Sequence, residues 1–279
     1  MPHLSYYKDN ELMYRHVVDE KPNNDPFYMH IHDQFELLYF IRGTASCTVE
    51  TTTFPLLPET LVLIAPMMSH RITILESEPY ERYTINFSSS LLDKLEGGKK
   101  LLEPFYDRAT GNRNCYHASE FSIPPKKLLA AMADPDGACD RLSVLTYFYA
   151  LLGTIGDASR HKEPTPPLFE TETLASRTAD YINARLFDDL SVQSIAKHFY
   201  VSVSQLNRQF KKATGFPIWE YIIGKRVVSA RNLIREGVPA THAYTQCGFN
   251  DYSSFYRLYA KRFGVSPKAD TIGGKVKNP

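Results

Sequence analysis

The sequence predicts an α+β protein of two domains: an N-terminal β-barrel or sandwich that ends in a helical hairpin, and a C-terminal all-α domain with a double helix-turn-helix. Three observations predict it. Short β-type runs follow one another from Phe27 to Phe87 with no helix between them. A stretch with three prolines after Gly156 breaks all periodicity. Beyond it, Leu206, Phe210 and Gly215 recur at the same spacing as Phe255, Tyr259 and Gly264. At 279 residues, with 43% apolar and 23% charged, the chain is long enough for each half to bury a core.

The expected strands are Phe35 to Ile41, Ala45 to Thr53, Leu61 to Ala65, Arg71 to Leu75 and Tyr80 to Phe87. Gly43, Pro55, Pro58, Pro66 and Pro79 punctuate them. Ala45, Cys47 and Val49 alternate with Ser46, Thr48 and Glu50, the two-residue period of a half-buried strand. Many short strands without crossover helices imply a sandwich or barrel. From Pro124 to Gly156 the period becomes helical. Leu128, Leu129 and Met132 share one helix, and Leu142, Leu145, Tyr149 and Leu152 share the next. The Leu142 face is expected to pack on the barrel and to pair with a second copy, giving a homodimer.

The non-periodic stretch sets the expected boundaries: residues 1–156 for an effector-binding and dimerising domain, 157–169 for a semi-rigid linker, and 170–279 for the helical domain. Charge divides the same way. Residues 1–169 hold 16 Lys and Arg against 22 Asp and Glu, whereas residues 170–279 hold 16 against 9. A polyanion partner for the C-terminal half alone follows, because clustered cations release counterions from phosphates. Cys47, Cys115, Cys139 and Cys247 form no C-x-x-C pair, which argues for reduced thiols. No apolar run approaches the roughly 20 residues that span a bilayer, and the start lacks the shape of a signal peptide, so the expected location is cytoplasmic with no membrane partner.

In the C-terminal half, Leu174, Ala175, Thr178, Tyr181 and Ile182 suggest an amphipathic helix. Ser191 can cap a helix from Val192 to Phe199. Ser202 with Gln205 forms a capping box for a helix from Val203 to about Ala213. With Leu206 and Phe210 buried, Ser204, Asn207, Arg208 and Lys211 face outward; Arg can bridge guanine O6 and N7, and Asn adenine N6 and N7. In the second copy, Pro239 to Cys247 supports, Gly248 and Phe249 turn, Asn250 or Asp251 caps, and Tyr252 to Arg262 is the second recognition helix. It leaves Tyr252, Ser253, Tyr256 and Arg257 outward. A helix from Ile218 to Glu236 would span about 28 Å, near the roughly 34 Å repeat of B-DNA, so both recognition helices could enter successive major grooves.

Ile195-Ala196, Val201-Ser202, Leu206, Phe210-Lys211-Lys212, Thr214-Gly215, Tyr221-Ile222, Arg226, Ala230, Leu233-Ile234, Gly248-Phe249, Phe255, Arg262-Phe263-Gly264 and Ser266-Pro267 together resemble the AraC/XylS-type transcription regulators over about 100 residues. The resemblance implies an output domain that binds double-stranded promoter DNA, works with RNA polymerase and usually activates transcription. It puts Ser204, Asn207, Arg208, Tyr252, Ser253 and Arg257 at base-facing positions. Departures are Ala243-Tyr244 where Ile-Ala is usual, Tyr200 where Gly is frequent, and Ala260 in place of a basic residue. A large ring at Tyr244 is expected to strain helix packing, so the first recognition helix should dominate base reading.

His30-Ile-His32-Asp-Gln-Phe-Glu36 followed by Gly43 resembles a first cupin motif, and Leu57-Pro58 to Ala65-Pro66 with His70 resembles a second. Three His and one Glu at this spacing can hold a divalent metal inside a cupin-like barrel. The favoured reading is different: His30, His32, Glu36 and His70 hydrogen-bond a small polar effector such as a sugar without a metal or other cofactor. Phe35 and Tyr39 would offer stacking faces or, more simply, core packing. The leading expectation is a non-enzymatic, effector-responsive transcription regulator, with a cupin metalloenzyme fused to a nucleic-acid-binding domain as the alternative.

Overall fold

The computed structural model describes residues 3–25, 27–93, 95–106, 115–161 and 173–270. Two units emerge from it: Met1–Tyr28 with Gln34–Thr171, and Met29–Asp33 with Glu172–Pro279.

The first unit contains strands β1 (His3–Lys8), β2 (Leu12–Asp19), β3 (Phe35–Arg42), β4 (Ala45–Val49), β5 (Thr52–Leu56), β6 (Thr60–Ile64), β7 (His70–Ile74), β8 (Tyr80–Phe87) and β9 (Cys115–His117), with helices α1 (Glu103–Tyr106), α2 (Pro125–Ala130) and α3 (Arg141–His161). Its sheets have the orders β1-β2-β8-β3-β6-β9 and β5-β4-β7. Register fixes which residues share a face. Glu36 pairs with Asn86, Leu38 with Thr84 and Phe40 with Arg82, while Phe35, Leu37 and Tyr39 oppose Phe87, Ile85 and Tyr83. Because successive side chains alternate, the odd-numbered set of β3 lies opposite Glu36. That odd face packs under the helices: Phe35 meets Phe105 at 5.1 Å, Phe87 meets Phe148 at 4.9 Å, and the Tyr14 hydroxyl donates to the Leu129 carbonyl at 2.9 Å. A strand covered on both faces is buried almost throughout, which explains the nearly unbroken apolar run of β3.

Several elements differ from expectation. The run from Ala45 to Thr53 is a hairpin, with Glu50 at φ 55° in its turn. No Gly or Asn advertises that turn; it is fixed from outside, where Glu50 N–H donates to the Ser69 carbonyl and Ser69 N–H donates to the Glu50 carboxylate. Pro55 lies within β5, which an edge strand tolerates because one side needs no donor. The β1–β2 hairpin and β9 had no sequence expectation. In the first, Asp9 accepts from the Glu11 and Leu12 amides at 2.8 Å each, turning the chain without glycine.

The apolar stripe of α3 is also rotated from the expected one. Val144, Phe148, Leu151, Leu152, Ile155 and Ala158 are buried, whereas Leu142 is 77% exposed and Leu145 and Tyr149 are half-buried. The expected seam thus supplies only Leu152 to the fully buried core. α3 continues through buried Gly156 to His161, overriding the expected start of the linker, because Ile155 and Ala158 carry the packed face onward. Residues 162–169 of that linker, and the tail lysines Lys275 and Lys277, lie outside the described residues.

The second unit contains α4 (Leu174–Ala184), α5 (Val192–His198), α6 (Val203–Thr214), α7 (Ile218–Arg235), α8 (Ala240–Gln246) and α9 (Tyr252–Phe263). Side-chain caps set the starts of α4, α5, α6 and α9. Thr173 and Ser191 cap α4 and α5 reciprocally with Ser176 and Ser194, Ser202 accepts from Gln205 N–H, and Asp251 accepts from Ser253 and Ser254 N–H. α6 and α9 both end on a left-handed glycine, Gly215 and Gly264. Leu206, Phe210, Phe255 and Tyr259 are fully buried, and Phe210 packs edge-on against Tyr221 of α7.

The two copies solve their turn differently. Gly248 carries φ 76° in the second, whereas Tyr200 carries φ 56° in the first with its ring 95% exposed. A left-handed tyrosine costs about 1–2 kcal/mol, more than glycine loses in chain entropy. Tyr200→Gly should therefore raise unfolding stability by about 0.5–1 kcal/mol in urea titrations; a loss of stability would mean that the ring makes an overlooked packing contribution.

Candidate nucleic-acid interface and effector site

On α6, Ser204, Arg208 and Lys211 are exposed, as are Gln205, Gln209 and Lys212. Asn207 differs from expectation. It is half-buried, and its Oδ1 accepts from the Ile218 amide at 3.2 Å. Its carbonyl thus satisfies an orphan donor at the start of α7, tying α6 to the central helix.

On α9, Ser253 and Arg257 are exposed and Tyr256 is 43% exposed. Tyr252 is half-buried, with the Tyr244 ring edge-on at 5.3 Å. Tyr252, Ser253, Tyr256 and Arg257 line a shallow concavity. Arg257 donates to the Ser254 hydroxyl at 3.3 Å, which restrains it over its own helix. Tyr244 does not jam the helix packing: Ala243 and Cys247 occupy the tight positions, and the Tyr244 ring lies half-buried beside Tyr252 and Phe255. The expected strain is thereby relieved sideways.

Arg226 of α7 joins these parts. It is 4% exposed and donates to the backbone carbonyls of Leu186 at 2.7 Å, Asp188 at 2.5 Å and Gly248 at 2.7 Å. One guanidinium therefore holds the loop before α5 and the turn before α9. Gly248 is required there, since a Cβ would come within 2.9 Å of the Arg226 guanidinium carbon and of the Phe187 carbonyl oxygen.

At the far end, the Asp270 carboxylate accepts from Arg231 Nε at 2.6 Å and from the Tyr259 hydroxyl at 2.8 Å. Burial pushes its pKa up, but the Arg231 and Tyr259 hydrogen bonds outweigh that and hold it below the ordinary value. A depressed folded pKa gives stability that is present above the unfolded value of about 3.9 and is lost as pH falls through the folded one. Asp270→Asn should cost about 1 kcal/mol at pH 7 and flatten that acid limb, read by Trp219 fluorescence. An unchanged limb would remove Asp270 from the account.

The first unit's inner sheet face carries a hydrogen-bonded run. Arg15 donates to Thr84 Oγ1 at 3.1 Å and to Asn86 Oδ1 at 3.3 Å; Asn86 Nδ2 donates to Glu36 Oε2 at 2.7 Å; His70 Nε2 lies 3.7 Å from that oxygen. His70 Nδ1 faces the Met68 carbonyl at 3.0 Å. Burial opposes the His70 charge, but Glu36 and the Met68 carbonyl outweigh it and raise its pKa. The predicted Glu36 and His70 thus come together. His30 and His32 lie on the Met29–Asp33 segment grouped with the second unit, half-buried, with ring centroids 5.6 Å apart. Phe35 and Tyr39 are core residues on the opposite face of β3, so the stacking role falls away. Arg15, Thr84 and Asn86 escaped the sequence reading; only the alternation of β8 from Tyr80 to Phe87, carried across its register, could have found them. The four cysteines are free thiols, and burial pushes that of Cys247 up to about 12. Among the described residues, no helix is long and apolar enough to cross a membrane.

A pair of capped helix-turn-helix modules on a shared central helix, together with a double-sheet unit that has a polar inner face, defines a ligand-binding, DNA-binding regulator. Residues 17–152 match the AraC-like ligand binding domain, and residues 195–270 match a helix-turn-helix domain of the same family. The chain belongs to the AraC family of transcription regulators. It is 31% identical over 99 residues to the HTH-type transcriptional activator RhaS of Escherichia fergusonii, an alignment covering 35% of this chain and 36% of that protein. It is 22% identical over 264 residues to the HTH-type transcriptional regulator YfiF of Bacillus subtilis, covering 91% of this chain and 82% of that one. Among solved structures, ToxT of Vibrio cholerae aligns at 12% identity and a TM-score of 0.39, covering 93% of this chain and 96% of that one.

Proposed function

We propose that this regulator is an activator that reads promoter DNA through α6 and α9 and answers to a small, polar effector, a sugar being one such chemistry, recognised in the first unit around Glu36 and His70. His30 and His32, which precede β3 in sequence, are carried into this reading as further effector contacts. The observation that supports it most is the match between α6 and α9, each capped, each ended by a left-handed glycine, and each presenting Ser and Arg outward from a buried aromatic stripe. Effector control needs only a ligand that prefers one of two arrangements of the protein. Homodimerisation and contact with RNA polymerase complete the proposal, with the helical domain starting at the expected residue 170 and the first domain extended beyond the expected residue 156 to the end of α3 at His161. A transcriptional fusion to a promoter the protein binds tests the sign: output should fall when the gene is deleted. A rise would make the protein a repressor, and no change would remove the regulatory reading.

A further inference from the structure

α6 and α9 present different chemistry at matching positions. When Leu206 and Phe210 are set against Phe255 and Tyr259, Ser204 and Arg208 recur as Ser253 and Arg257, but Val203 and Asn207 become Tyr252 and Tyr256. The second change alters what the helix offers. Asn207 is half-buried and gives its carbonyl to the Ile218 amide, whereas Tyr256 is 43% exposed. The rings of Tyr252 and Tyr256 have centroids 6.4 Å apart and are tilted by 48°, and with Ser253 and Arg257 they line the concavity on α9. Tyr252 is fixed from behind, because Tyr244 meets it edge-on at 5.3 Å and the Phe255 ring lies 5.8 Å away. One wall of the concavity is therefore set before anything enters it. Arg257 in the lining and Lys261 one turn further along α9 are both exposed, a charge that suits the phosphates of a duplex.

Base edges in the major groove present hydrogen-bonding groups and a single apolar one, the C5 methyl of thymine. Two phenol rings, each with one hydroxyl, cannot form the paired hydrogen bonds that Arg makes with guanine or Asn with adenine, yet their faces can enclose a methyl. We propose that α9 selects thymine by seating its C5 methyl against Tyr252 and Tyr256, so that its part of the DNA site is read by apolar contact. The inference rests on reading α9 as a DNA-contacting helix; it adds the base that helix selects and Tyr256 as the residue that selects it.

The test is a uracil scan of a promoter fragment selected by the full chain. Each thymine of the protected site is replaced in turn by uracil, which removes the methyl and leaves every hydrogen-bonding group in place, and affinity is measured at fixed salt. At one or more thymines the unaltered protein should lose about 3- to 5-fold, the value of burying one methyl. Tyr256→Ala should lose about 3- to 10-fold on the thymine fragment and nothing further at that uracil, since the contact is already gone. Tyr256→Phe keeps the ring and should keep both affinity and the uracil penalty. Uracil tolerated at every thymine, or a set of penalties that Tyr256→Ala leaves unchanged, overturns the proposal. Equal losses from Tyr256→Phe and Tyr256→Ala would move the contact to the hydroxyl and a phosphate, and overturn it too. The scan of the unaltered protein holds whether or not a variant folds. Specific binding without any uracil penalty removes the thymine contact and leaves the regulator standing, whereas no preference over random DNA removes both.

Discussion

Replacing Arg226 with alanine should cost the helical unit about 3–5 kcal/mol, the largest single effect expected in this protein. The guanidinium is almost wholly buried, and its partners are the carbonyls of Leu186, Asp188 and Gly248 rather than a carboxylate. Truncation removes three charge-assisted hydrogen bonds and leaves three backbone acceptors in a dry site. Arg226→Lys should recover only part of the loss, because an ammonium cannot reach acceptors spread around a planar fork. Trp219, the only tryptophan, lies on the same helix and reports urea unfolding directly. A loss below 1 kcal/mol would mean that water replaces the side chain and that α5 and α9 are positioned by apolar packing alone.

Arg208→Ala should produce the largest loss in DNA affinity among the exposed residues, about 1–3 kcal/mol or roughly 5- to 150-fold, with relaxed preference at one base pair. The argument is a comparison. Arg208 is exposed with no intrahelical partner, whereas Arg257 is hydrogen-bonded to Ser254 and would exchange one contact for another. Arg257→Ala should therefore cost less, measured on the same promoter fragment at the same salt. Lys211→Ala should weaken binding evenly across sequences and lower the salt slope, as a phosphate contact does. Equal losses from Arg208→Ala and Arg257→Ala would contradict the ordering of the two helices.

The helical unit was the more legible half of the sequence because its signals are local. Ser202, Asp251, Gly215 and Gly264 announce helix ends, and the four-residue spacing of Leu206 with Phe210 and of Phe255 with Tyr259 announces the buried stripe. Asn207 is less exposed than its spacing predicts because its Oδ1 accepts from the amide at the start of α7, eleven residues away, which no periodicity reveals. Tyr244 was misread for a similar reason: its neighbour Ala243 takes the tight contact, a choice that helical phase alone decides. In the first unit, Glu36 and His70 were found through motif spacing, but Arg15 and Asn86 reach Glu36 across strands distant in sequence. Such contacts follow from strand register, and register is set by turns like that at Glu50, whose conformation is imposed by Ser69 rather than by its own residues.

α7 spans 18 residues, about 27 Å of helix, and through Arg226 and Asn207 it holds the parts that carry α6 and α9. The most direct test of the account is a hydroxyl-radical footprint of the full chain on a selected promoter fragment at 0.15 M salt (a roughly physiological ionic strength), with random DNA as competitor. Two protected patches on one face of the duplex, about one helical turn apart, are expected, with Arg208→Ala erasing the first and Arg257→Ala thinning the second. A single protected groove, or no preference over the random competitor, would contradict it.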